Sequence, residues 1–96
     1  MLNMRFVWDK NKNLANIKKH KISFEEAKTV FLDDNARLIH DPEHSISEER
    51  FIILGITNKL RLLVVVHTYK EDGDVIRIIS ARKATRTETI YYYKVK

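Results

Sequence analysis

Apolar and polar positions along the chain change their period several times, and each change predicts an element. Arg5–Trp8 (RFVW) is a short β-prone run and reads as a first strand. Asp9 or Asn11 can cap a helix that runs to about Lys19, with Leu14 and Ile17 as a thin apolar face and the lysines outside. Ser23-Phe-Glu-Glu26 has the form of a capping box, in which Ser23 accepts from the backbone of Glu26 and Glu26 reaches back. Phe24, Ala27, Val30 and Phe31 follow at helical spacing, and Asp33-Asp34-Asn35 ends that helix.

Strand signals dominate afterwards. Arg37–His40 is a short strand, and the acidic segment 41–49, which holds the single proline, is a loop. Arg50–Thr57, Leu60–Tyr69 and Val75–Ala81 are three strands joined by turns at Asn58-Lys59 and Glu71-Asp72-Gly73-Asp74. From Lys83 or Ala84 to about Tyr93 the pattern is helical, with Thr85 as N-cap and Glu88 three residues on. The order β-α-α-β-β-β-β-α predicts an α+β fold: an antiparallel sheet, two N-terminal helices on one face and a C-terminal helix. The uncovered face is then the place for a binding site.

Composition narrows the class. Ninety-six residues, 44% hydrophobic and 32% charged, predict one folded domain over 1–96. The absence of cysteine excludes disulfides, thiolate metal sites and Cys nucleophiles, and fits a cytoplasmic protein. No apolar run has the length of a signal peptide or a membrane span, so no membrane association is expected. The isolated Gly55 and Gly73 form no phosphate-cradling loop, which disfavours nucleotide triphosphatases and dinucleotide enzymes.

Charge placement points to a polyanion. The net charge is +5, and residues from Arg77 onward carry six cations against Glu88 alone. Residues 10–21 hold five lysines and no acid, while 41–49 hold four acids and no base.

Four histidines are candidates for chemistry. His40 and His44 stand four apart, but Pro42 between them opposes a helix, so a metal pair there is weakly supported and no metal is expected. His20 closes the first helix, where the dipole favours a cation. His67 alternates with Leu63 and Val65, a pattern that suits the edge of a core. Arg50 shares its face with Ile52 and Leu54, and Glu48 and Glu49 are nearby partners for it. In the last strand, regular alternation sends Arg77 to one face and Ser80 and Arg82 to the other. Arg77 and Arg82 can serve one phosphate only if the strand bulges or one side chain reaches around the edge. Tyr91, Tyr92 and Tyr93 can stack on bases or dock the last helix on the sheet.

Phe6-Val-Trp8-Asp9, Asn16-x-x-Lys19-His20-x-x-Ser23-Phe24-Glu-Glu-Ala27, Val30-Phe31-x-Asp33, Glu48-Glu49-Arg50 and Arg77-Ile-Ile-Ser80-Ala-Arg82-Lys-Ala84 together resemble the BrnT toxins, over nearly the whole chain. The departure is Lys21, where that family often has glycine. The resemblance implies a RelE-like fold and metal-independent RNA cleavage, with no cofactor, that blocks translation. It also implies a BrnA-like antitoxin as partner, in a dimeric assembly of toxin–antitoxin pairs that reaches operator DNA through the antitoxin.

On that footing, Arg50, Arg77 and Arg82 are expected to stabilise the phosphate and its transition state. His20 is the first candidate for proton transfer, with Glu49 and His67 behind it, and Ser80 positions the phosphate or an arginine. Lys18, Lys19, His67, Lys83, Arg86 and Tyr91 are the expected RNA contacts, with salt-dependent binding. Two other readings fit the same charges. One is a non-catalytic nucleic-acid-binding module. The other is a protein-interaction module whose arginines pair internally with the acidic 41–49 segment.

Overall fold

The computed structural model describes residues 4–40 and 48–94. The elements are β1 (Arg5–Val7), α1 (Lys10–His20), α2 (Phe24–Ala27), β2 (Arg37–His40), β3 (Phe51–Ile56), β4 (Leu62–Lys70), β5 (Val75–Lys83) and α3 (Arg86–Lys94), in the expected α+β order. They form one five-stranded sheet ordered β1-β5-β4-β3-β2.

The sheet is mixed, which corrects the antiparallel expectation. β2 to β5 pair antiparallel, but β1 lies parallel to β5, with Phe6 opposite Ile76. Short turns force consecutive strands to run antiparallel. β1 is followed by helices, so no hairpin constrains its direction.

One face of the sheet carries the main core. Ile22, Phe24, Ala27 and Val30 pack there on Ile53, Leu63, Val65, Ile78 and Ala81. The second helix is α-helical only to Ala27 and continues as a 3₁₀ turn over Lys28–Leu32. A Cβ on Gly55 would come within 3.2 Å of Val30 and Ala36 Cβ, so glycine lets that segment approach β3. On the opposite face, α3 seats Tyr92 on Leu54 and Val64. The Tyr92 hydroxyl donates to Asp33 Oδ2 at 2.5 Å, and the same oxygen accepts from the Ile56 backbone at 2.8 Å. Asp33 therefore ties α3 to β3.

The capping boxes divide. At α3 the box is complete: Glu88 N donates to Thr85 Oγ1 and Thr85 N donates to Glu88 Oε1. At α2 Ser23 caps Glu26 N, but the Glu26 carboxylate turns away to Arg61 and Thr57. A buried carboxylate gains more from a charged fork than from one backbone N–H. Hydrogen bonding from Arg61 accordingly holds its pKa below the usual carboxylate value.

Leu60, expected to open β4, instead sits in the preceding turn with φ of 63° and its side chain exposed. Lys21 adopts φ of 62° and ψ of 33° as the C-cap of α1, its N–H donating to Ile17. That left-handed conformation is the one glycine adopts without steric cost.

α1 reverses the expected amphipathicity. Its single buried residue is Asn16, 7% exposed, whereas Leu14 is 54% and Ile17 37% exposed. β5 runs past the short β1 and leaves backbone groups open along that edge, where α1 lies. Asn16 satisfies them: Nδ2 donates to Ala81 O (3.0 Å) and Ile22 O (2.9 Å), and Oδ1 accepts from Ala81 N (3.1 Å). A leucine there can make none of these bonds.

Candidate nucleic-acid interface and active site

The question of alternation in β5 is resolved by a bulge. Val66 faces Ser80 and His67 faces Ile78, so Ile79 has no opposite number. Beyond it the strand changes parity. Ile78 and Ala81 both enter the main core, while Arg77, Ser80 and Arg82 share the other face, opposite Thr68, Val66 and Val64.

Glu48 stands against this face. Arg77 Nη2 donates to Glu48 Oε1 at 2.7 Å and Oε2 at 2.6 Å. The segment is pinned by Thr68, whose hydroxyl donates to the Glu49 carbonyl at 2.8 Å. Thr68 is itself the register partner of Arg77, so one β4 position aligns the acid with the arginine. Arg77 Nε is buried and makes no hydrogen bond among the described residues. Sequence reasoning nominated Glu49, which is exposed, rather than its neighbour. Arg50 is half-buried where β3 begins.

Arg82 is engaged elsewhere. Its two terminal nitrogens meet the two oxygens of Glu88 at 2.9 Å each, in a fork at the start of α3. That hydrogen bonding lowers the Glu88 pKa to about 2 and raises that of Arg82. Arg82 thus locks β5 to the capping box of α3. The Arg77–Glu48 pair matches the protein-interaction reading, in which arginines pair with the acidic 41–49 segment, whereas Arg82 pairs outside that segment, with Glu88.

Beside the bulge, α1 and β5 enclose a cleft of about 240 Å³ lined by Lys12, Lys19, His20, Ile79 and Ser80, with Asn16 at its base. Ser80 belongs both to this cleft and to the face of β5 that carries Arg77 and Arg82. Lys18 is exposed on the other flank of α1, away from the cleft. Lys83 and Arg86 are exposed at the β5–α3 junction. Tyr91 is exposed, with the Arg37 guanidinium 5.1 Å above its ring.

His67 does not join the site. Its side chain is 0% exposed and packs edge-on to Phe31 at 4.9 Å on the helix-covered face. RNA cannot reach it without opening the core. Its Nδ1 lies 3.2 Å from Val65 O, which can only accept, so Nδ1 carries the proton and Nε2 accepts from the Tyr69 hydroxyl at 3.2 Å. Burial lowers its pKa to about 4 from the usual 6.5. The unfolded chain therefore binds the extra proton first as pH falls, and stability is lost from about pH 6.5 down to 4. Denaturant titrations at pH 7 and pH 5 should differ by about 2 kcal/mol in the wild type. In His67→Phe that difference should shrink to a few tenths, and an unchanged difference would assign it to other groups.

His40 lies in β2, and the segment containing His44 lies outside the described residues. Among the described residues, no three His, Asp or Glu side chains converge as a metal site. Nor is any helix long and apolar enough to cross a membrane.

Residues 8–88 match the family model described as the ribonuclease toxin BrnT of type II toxin–antitoxin systems. The crystal structure of the Brucella abortus ribonuclease toxin BrnT superposes with a TM-score of 0.65, covering 86% of this chain and 99% of the other at 22% identity. That likeness shows a shared fold. No curated protein matches the sequence.

Proposed function

Because the chain belongs to the BrnT family of type II toxin–antitoxin ribonuclease toxins, we propose that it is a RelE-like, metal-independent endoribonuclease. It cleaves RNA in the cytoplasm at the face carrying Arg77 and Glu48, and so inhibits translation until a BrnA-like antitoxin neutralises it. The observation that carries this reading is the bulge at Ile79: Ser80 shares a face of β5 with the Arg77–Glu48 pair and also lines the lysine-bearing cleft.

The chemistry needs a base, cations and an acid. Glu48 takes the proton of a ribose 2′-OH, whose oxygen attacks the adjacent phosphorus. Arg77 and Arg50 hold the charge that builds on the phosphorane, where donors aimed at developing charge contribute most. Ser80 donates to a non-bridging oxygen. His20, across the cleft, protonates the leaving 5′-oxygen, and such proton transfers contribute roughly 10²–10⁴-fold. The bond to the 5′-oxygen breaks, leaving a 2′,3′-cyclic phosphate and a free 5′-hydroxyl. Glu48 reaches the 2′-OH once the RNA phosphate replaces it on Arg77.

The direct test is incubation of purified protein with single-stranded RNA in EDTA, with and without ribosomes. Fragments ending in 2′,3′-cyclic phosphate are expected. Binding without cleavage under both conditions would favour the non-catalytic module, and cleavage that vanishes in EDTA would overturn metal independence.

A further inference from the structure

The inverted α1 helix leaves an apolar stripe, Leu14 and Ile17, that the RNA reading does not use. Of its inward stripe, Asn13 accepts from Phe24 N at 2.9 Å and Asn16 bonds Ala81 and Ile22, so polar groups occupy the side where apolar ones normally lie. The helix holds without an apolar seat because its ends are satisfied: Asp9 accepts from Lys12 N at 3.0 Å, and Lys18, Lys19 and His20 meet the carbonyl end. Leu14 and Ile17 are left facing out.

At 100° per residue, Lys10, Leu14, Ile17 and Lys18 fall within an arc of about 100°, while Lys12 and Lys19 lie on the flank that lines the cleft. Neither Lys10 nor Lys18 pairs with a carboxylate among the described residues. An RNA backbone would use the lysines but gains nothing from a leucine and an isoleucine between them. A protein segment with apolar anchors ringed by acids uses both.

We propose that the Leu14–Ile17 stripe of α1, rimmed by Lys10 and Lys18, is a docking face for an acidic amphipathic segment of the antitoxin. This rests on membership of a type II toxin–antitoxin family, which supplies such a partner. The segment lies on the flank of α1 opposite the lysines of the cleft, so the two surfaces are separable by mutation. An antitoxin segment gripping α1 there lies within a helix width of the cleft and is placed to extend over it.

The test uses the purified toxin and the antitoxin of the same operon, with affinity and RNA cleavage measured in parallel. L14S/I17S is expected to remain folded, since Leu14 is 54% and Ile17 37% exposed and neither belongs to the core, and a thermal melt checks this. It should cleave free RNA at the wild-type rate and bind antitoxin at least about 30-fold more weakly, the loss expected of apolar anchors. The conservative pair L14M/I17V should restore binding. K10E should weaken binding severalfold at low salt and hardly at all at high salt. L14S/I17S binding within threefold of wild type would overturn the docking face. A K10E effect independent of salt would overturn the acidic character of the partner segment. Wild-type toxin that neither binds the antitoxin nor cleaves RNA would instead overturn the family-based reading, and the docking face with it.

Discussion

Arg77→Ala is expected to lower RNA cleavage by about 10²–10³-fold, the size of loss seen when one donor aimed at developing charge is removed. Its guanidinium is the one that Glu48 holds on the shared face, and its Nε makes no hydrogen bond among the described residues. The substitution should cost little stability. The pair is partly exposed, with side chains 38% and 28% accessible, and pairs in such surroundings contribute about 1 kcal/mol or less. Arg77→Lys keeps the charge but loses the planar fork, so it should recover only part of the rate. Arg82→Ala should behave differently. It breaks the fork to Glu88 and loosens the first turn of α3, so its main effect falls on stability, with a smaller effect on cleavage. Initial rates alongside thermal melts separate the two roles. A folded Arg77→Ala protein that cleaves within threefold of wild type would remove Arg77 from the chemistry.

The largest stability effect is expected from Asn16→Leu, the change that hydropathy alone would recommend. It strands the N–H and C=O of Ala81 and the C=O of Ile22 in a buried setting. A buried group left unsatisfied costs roughly 1–3 kcal/mol. Some of these groups will find water at the sheet edge, so a net loss of about 2–4 kcal/mol is expected. Asn16→Asp keeps one acceptor but loses the donor to two carbonyls, and should be nearly as damaging. Urea denaturation reads both. A leucine variant as stable as wild type would show that α1 does not depend on Asn16 to close the edge of β5.

Much of the fold was legible because local signals carry it. The Ser23 and Thr85 caps, the 24–31 periodicity and the three long strand runs each specify an element within one short window. The direction of β1 was not legible, because no turn connects it to the strand it pairs with. The orientation of α1 was read the wrong way round, since the rule that apolar residues face inward assumes that the neighbouring surface is apolar. Here that surface presents the backbone N–H and C=O of Ala81 at the open edge of β5. The site was legible in residue type and incomplete in geometry. Arg77, Ser80, Lys19 and His20 were nominated from the sequence and do lie along one strand and its cleft. Glu49 was nominated while its neighbour Glu48 is the acid that pairs with Arg77, because adjacent acids at the start of a strand differ only in which way they point. His67, nominated for RNA, is closed inside the core.

The sequence by itself determined which segments become helix or strand, where they are capped, and that cations accumulate from Arg77 onward. Tertiary structure decided which face each of those cations takes and which acid it meets. A strand's side chains alternate with a period of two, so a single unopposed residue reverses the faces of everything beyond it. Ile79 becomes that residue only through the register between β4 and β5, and the register is set by burying Ile78 and Ala81 on the same side.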